Sequence, residues 1–194
     1  SVNYIGDGAF EWCYNLVAVN IPKNITSISP RLFSHCWEIK RVNIPEGVTS
    51  IGDGAFEHCS YLDNIIIPEG MTSIGEYAFS CCKFKSLNIP ETVIEIGKYA
   101  FNCCNGIGIL KLSESITKIN KGTFARCNSI TKLNIPNSVT SIGDSAFESC
   151  IGLVNIEIPK NVISLGEKVF RDCTRLSKVT ISNSINTIQN KTFY

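Results

Sequence analysis

The chain has 194 residues, 44% of them hydrophobic, and its 18 Lys and Arg against 17 Asp and Glu leave a formal net charge of +1. So even a balance supplies no long-range field to gather a polyanion, which excludes nucleic acid as the expected partner. No run approaches the roughly 18 to 20 uninterrupted apolar residues of a membrane helix, so no membrane insertion is expected, and no signal peptide is read at Ser1–Val2.

Phenylalanine recurs at Phe10, Phe33, Phe56, Phe79, Phe101, Phe124, Phe147, Phe170 and Phe193, in steps of 23 residues with one step of 22. Self-similarity at this period marks a solenoid, whose units bury their apolar faces only by stacking. Within a unit the pattern is V-x-x-I-G-x-x-A-F-x-x-C-x-x-L-x-x-V-x-I-P, as in Val48, Ile51, Gly52, Ala55, Phe56, Cys59, Leu62, Ile65, Ile67 and Pro68. The apolar pairs Val42/Ile44, Ile65/Ile67, Leu87/Ile89, Leu133/Ile135 and Ile156/Ile158 alternate with outward residues, which predicts one short strand per coil and a parallel sheet across coils. Pro22, Pro45, Pro68, Pro90, Pro136 and Pro159 end the strands, since proline offers no amide to a ladder. A second apolar pair, Val48 with Ile51 or Val139 with Ile142, leads to Gly52, Gly75, Gly97, Gly143 and Gly166. Glycine there implies positive φ or close backbone approach at a corner. The A-F-x-x-C stretch that follows is too short for a long helix and predicts a single helical or 3₁₀ turn.

The array departs from its pattern where the unit loses a residue around Phe84, where Ser113 replaces the proline and Asn120 the glycine, and at Ser182 and Gln189 in the last repeat. Such places are expected to bend or twist the solenoid locally. Val2 and Phe193 occupy repeat positions with no polar cap beside them, so residues 1–194 are expected to form a single domain cut from a longer array.

The strand C-x-x-L-x-x-I-x-L-P followed by L-x-x-I-G-x-x-A-F resembles the unit of the BspA-like family of leucine-rich repeats, and the match covers essentially the whole chain. The expected fold is a right-handed, curved leucine-rich-repeat solenoid of about eight coils. The resemblance implies a surface or secreted protein that recognises or adheres to a partner across its sheet face, with no catalytic residues.

Eight of the ten cysteines stand three residues after a phenylalanine, from Cys13 to Cys173, and read as a ladder of small buried thiols. One residue earlier stand Trp12, His35, His58, Cys81, Cys103, Arg126, Ser149 and Asp172. Histidines and cysteines in consecutive coils suit zinc in type, but ligands spread along a line cannot converge on a tetrahedron, so no metal and no cofactor is expected. A disulfide between Cys81 and Cys103, neighbours in register, is the better expectation. No G-x-S-x-G, P-loop or paired-carboxylate arrangement is found, and a metal-dependent enzyme is the distant alternative. The recurrent Gly52-Asp53-Gly54 corner reads as structural. Asn24-Ile25-Thr26 and Asn190-Lys191-Thr192 are glycosylation sequons.

The outward strand positions form two columns. One contains Asn43, Ile66, Asn88, Lys111 and Asn134; the other contains Arg41, Asn64, Ile109, Lys132, Asn155 and Lys178. The asparagines fit either an amide ladder or a binding face. The basic residues Arg41, Lys111, Lys132 and Lys178, with Ile66 and Ile109 between them, suit a protein or glycan ligand, such as host extracellular matrix or a host cell surface, better than a small molecule. The alternative is a spacer that displays another domain. A face that varies from coil to coil favours recognition, and a uniform one spacing.

Overall fold

The computed structural model describes residues 2–194 as a parallel β-solenoid. Seven repeat steps separate its first strand, at Ala18, from its last, at Lys178. Each regular coil carries two short strands, not the single one expected. The first wall is built from Ala18–Asn20, Arg41–Asn43, Ile109–Lys111, Lys132–Asn134, Asn155–Ile158 and Lys178–Ile181. The second wall follows the proline turn. It is built from Ser27–Ile28, Ser50–Ile51, Ser73–Ile74 and Glu95–Ile96 in one sheet, and Lys118–Ile119, Ser141–Ile142 and Ser164–Leu165 in another. Two residues per strand carried no alternation to read, so the second apolar pair did not register as β-structure in the sequence.

Pairing is parallel and in register throughout: Arg41 faces Ala18, Lys132 faces Ile109, and Lys178 faces Asn155. The first wall is broken in the middle. Residues 64–66 and 86–88 form no strand, and the isolated bridge between Asn88 and Lys111 is the link there. That break coincides with the shortened coil.

The A-F-x-x-C segment is not helical; no helix occurs among the described residues. Its amides alternate between two duties. In the third coil Ala55, Glu57 and Cys59 donate to Gly52, Gly54 and Phe56, closing successive turns, while Gly54, Phe56 and His58 donate to Glu76, Ala78 and Ser80 of the next coil. A helix would direct every amide inward along its own axis; here half of them join coils.

The turns require left-handed backbone at two places per coil. One, two residues before phenylalanine, holds Gly54 at φ 61° but Tyr77 and Tyr99 at 55° and 57°. The other lies two residues after phenylalanine. The corner glycines Gly52, Gly75, Gly97, Gly143 and Gly166 are not among the positive-φ residues; close approach is what selects them. A Cβ on Gly97 would stand 2.4 Å from the Glu76 nitrogen and one on Gly166 2.4 Å from the Asp144 nitrogen. At Asn120 the side-chain amide occupies the corner and donates to Ile96 O at 2.7 Å.

Inside, the phenylalanines form one continuous stack. Neighbouring rings from Phe10 to Phe193 lie 5.3–5.7 Å apart with interplanar angles of 2–21°. Rings from Phe33 to Phe170 are fully buried, flanked by the isoleucines and leucines of both walls. The cysteine ladder lies beside this spine and bonds to it. Cys36, Cys59, Cys82, Cys104, Cys127, Cys150 and Cys173 each donate a thiol hydrogen to the phenylalanine carbonyl one coil earlier, at 2.9–3.2 Å. Cysteine is small enough for the crowded interior and also satisfies a buried carbonyl. The threonine column makes similar use of its hydroxyls: Thr72 and Thr140 donate to the carbonyls of Thr49 and Thr117.

Candidate functional site

Two surfaces stand out, the face of the first wall and the flank between the cysteine turn and that wall. On the first, alternation along each strand turns every second side chain outward, and the stacking of coils aligns them. All eleven residues expected on this face are exposed. Ile66 and Ile109 are 72% and 67% exposed, too much for solvent-shielded packing. Asn43, Asn64, Asn88, Asn134 and Asn155 make no side-chain hydrogen bond among the described residues, so no amide ladder ties them up.

The face is not one uninterrupted row. Arg41 and Asn43 belong to the amino-terminal pair of strands, whereas Ile109, Lys111, Lys132, Asn134, Asn155 and Lys178 lie together beyond the break, around an open groove of about 710 Å³. Lys111 reaches back to Glu91, 3.5 Å away. Charge and shape therefore change along the wall.

The flank carries the side chains at the second left-handed position. Trp12, His35, His58, Cys81, Cys103, Arg126, Ser149 and Asp172 all have φ between 57° and 64°. The ladder of coil-to-coil amide bonds imposes that conformation, so the identity of the side chain is free to vary. Trp12 stacks on His35 with ring centroids 3.8 Å apart, and His35 on His58 at 4.7 Å. The imidazoles meet face to face, not through nitrogens aimed at one point. Burial, reinforced by the nearby His58, lowers the pKa of His35, and Ser34 Oγ lies 2.9 Å from its Nδ1. Beside this column a row of aromatics continues from coil to coil: Tyr14 and Trp37 have centroids 4.7 Å apart, and the Tyr61 amide donates to Trp37 O. All three rings are exposed.

The aromatic row ends at a recess beside the shortened coil. Between Cys82 and Phe84 the shortened coil has one residue where its neighbours have two. Phe84 takes over the leucine position, fully buried and edge-on to Phe79 at 5.4 Å. Beside it lies an open cavity of about 480 Å³, lined by Lys40, Arg41, Tyr61, Asp63, Lys83 and Lys85 among others. Lys85 Nζ lies 2.6 Å from Asp63 Oδ2, and Lys83 Nζ stands 5.8 Å above the Tyr61 ring. Only Arg41 of these was expected at a site. The clues available were the irregularity at Phe84 and the placement of both tryptophans within the first two coils.

The buried cysteines are poor candidates for chemistry. Burial pushes the Cys36 and Cys173 thiols up to about 11, and holds Cys82, Cys104, Cys127 and Cys150 well above the ordinary thiol value. Thiols so protonated are weak nucleophiles at neutral pH. Cys13 is exposed, while Cys81 and Cys103 are half-buried; all three are free thiols. The Asp53 carboxylate accepts the Glu76 amide at 2.7 Å, so the Gly-Asp-Gly corner joins coils and is not a phosphate cradle.

Among family models, the one described as "BspA type Leucine rich repeat region (6 copies)" matches residues 1–108 and 94–194, the full length of the chain. The chain belongs to the BspA-type leucine-rich repeat family. No curated protein matches it. Among solved structures, this BspA-type chain is similar to a leucine-rich repeat protein from Bacteroides ovatus, at 25% identity and a TM-score of 0.69 over 98% of this chain and 67% of that one. It is similar to a leucine-rich cell surface protein from Faecalibacterium prausnitzii, at 27% identity and a TM-score of 0.62 over 94% and 64% of the two chains. It is also similar to a leucine-rich repeat protein of T. pallidum, at 28% identity and a TM-score of 0.68 over 89% and 71%. The chain thus spans about two thirds of the length of these structures. No helix in it is long and apolar enough to cross a membrane.

Proposed function

We propose that this BspA-type segment is a non-enzymatic binding scaffold, displayed at a cell surface or secreted, that engages a protein or glycan partner across its first wall. The observation that carries this reading is the variegation of that wall. Exposed Ile66 and Ile109 and the basic residues Arg41, Lys111, Lys132 and Lys178 interrupt an otherwise amide-rich face. The mechanism is geometric. Strands spaced by ~4.8 Å hold the side chains before the partner arrives, so little conformational entropy is lost on binding. Host extracellular matrix and host surface glycans are the partners this chemistry suits, and no cofactor takes part. The similarity to a leucine-rich cell surface protein supports the location.

The test compares the parent with a variant carrying alanine at Arg41, Lys111, Lys132 and Lys178, both immobilised and exposed to matrix proteins and surface glycans. The variant is expected to fold normally, since all four side chains are exposed, and to bind at least about tenfold more weakly, or about 1.4 kcal/mol. Equal binding by both removes the first wall from the interaction. Silence from both favours the spacer.

Cys81 and Cys103 are assigned here as the pair that forms a disulfide under oxidising conditions. They lie on adjacent coils at the same repeat position, and a spacing near 4.8 Å lies within the Cα separation a disulfide spans. Two protons and two electrons pass to a disulfide oxidant such as oxidised glutathione. A thiol reagent is expected to titrate three cysteines in the native reduced protein, Cys13, Cys81 and Cys103, and ten after unfolding. After incubation with oxidised glutathione, peptide mass spectrometry should show Cys81 joined to Cys103 with loss of two hydrogens; both thiols free, or each carrying glutathione, sinks the pairing.

A further inference from the structure

The aromatic row and the recess meet at Tyr61 on a flank that shares only Arg41 with the first-wall reading. From Trp12 and Tyr14 through Trp37 to Tyr61, exposed rings succeed one another across three coils and stop where Lys83 of the fourth stands over the Tyr61 ring. Both tryptophans of the chain belong to this row. The repeat does not require aromatic rings there: the position of Tyr14 and Trp37 holds Lys83, Asn105, Asn128, Ile151 and Thr174 in later coils, and that of Tyr61 holds Gly106, Ser129, Gly152 and Arg175. The array tolerates small polar residues there, so the aromatics are not needed for stacking the coils.

Charge is distributed unevenly along the same track. The recess gathers Lys40, Arg41, Lys83 and Lys85 around a single carboxylate, Asp63, which Lys85 already neutralises. Four of the chain's 18 Lys and Arg thus meet at one end of the aromatic row. Along the platform itself Glu11 and Glu57 lie near His35, so that stretch is not a basic groove.

We infer that this flank is a binding site for an acidic oligosaccharide, whose sugar rings lie on the Trp12–Tyr61 row and whose carboxylate or sulfate groups enter the Lys40–Lys85 recess. Aromatic rings offer extended apolar surface to the C–H faces of pyranoses while their polar edges reach the hydroxyls. The coil spacing of ~4.8 Å presents a contact for successive sugars of an extended chain. Lysine and arginine around an open pocket of about 480 Å³ supply the anion contacts. Single-stranded nucleic acid also combines stacking with charge, but it carries a phosphate at every step and needs a basic groove along its whole path. Glu11 and Glu57 oppose that. The site shares Arg41 with the first wall but does not rest on the reading given for that wall.

The two tryptophans are a built-in reporter. Titration of the protein with a chondroitin sulfate hexasaccharide, followed by intrinsic fluorescence, is expected to give a saturable change that weakens as salt is raised. A hyaluronan hexasaccharide, which carries only carboxylates, separates the two anions; binding by either supports the site. A neutral chitin hexasaccharide and an oligothymidylate are the comparisons. Tyr61→Ala and the double variant Lys83→Ala/Lys85→Ala should each weaken binding at least tenfold. All three side chains are exposed, and circular dichroism should report an unchanged fold. The variant Lys111→Ala/Lys132→Ala/Lys178→Ala, which removes the first wall's basic residues other than the shared Arg41, should bind like the parent. The proposal is overturned if neither acidic hexasaccharide binds, if the neutral one binds as well, if the oligothymidylate binds more tightly, or if only the first-wall variant loses binding.

Discussion

Phe101→Ala is expected to lower folding stability by about 3–5 kcal/mol, the range for deleting a buried aromatic ring. The ring is fully buried between Phe79, 5.4 Å away, and Phe124, 5.5 Å away, so its removal opens a gap against both neighbouring coils. Dispersion contacts are lost on two faces at once, and stacked backbones cannot collapse into the gap without breaking the amide bonds that join them. Phe193→Ala is the internal comparison. That ring has one stacked neighbour among the described residues and is 37% exposed, so its loss should cost much less. Equilibrium urea unfolding of the two variants settles the point. Equal losses would mean that the walls, not the spine, hold the coils together.

The second large effect is steric. Gly106→Ala should cost about 3 kcal/mol, the upper end of the range for overpacking. A Cβ there would stand 2.0 Å from the Phe84 carbonyl oxygen and 2.8 Å from its carbon. Both atoms are backbone, so the clash is relieved only by moving the shortened coil. The opposing effect, fewer conformations in the unfolded chain, is worth about 0.4–1 kcal/mol and is too small to compensate. Gly47→Ala isolates that smaller effect, because its Cβ would meet nothing nearer than 4.0 Å and its φ is not positive. Thermal melts should show Gly106→Ala well below the parent and Gly47→Ala at or slightly above it. A Gly106→Ala protein as stable as the parent would show that the coil at Phe84 is not packed as described.

Much of this could be read from periodicity. The spacing of the phenylalanines dictates stacking, and the alternation in Ile65 and Ile67 dictates which residues of the first wall face water. What periodicity could not supply is the use to which backbone amides are put. The stretch from Ala55 to Cys59 suggests a helical turn by its length, yet coil-to-coil bonding claims alternate amides and forbids a continuous one. The cysteine ladder looked like filler until its thiols were placed against the phenylalanine carbonyls. The recess was hidden for a different reason. Lys40, Asp63 and Lys85 share one repeat position, directly after the leucine site, whereas Tyr61 and Lys83 stand at others, and spacing alone does not show that they line one recess.

The shortened coil at Phe84 has a consequence for any partner that is itself a polymer. A perfectly periodic rod offers such a partner many equivalent seats, each displaced by one coil, and a ligand on it can slip from one to the next with no change in energy. One coil of 22 residues among coils of 23 removes the equivalence. Seats on either side of it differ in phase, and the rod acquires a fixed origin from which position along its length is measured.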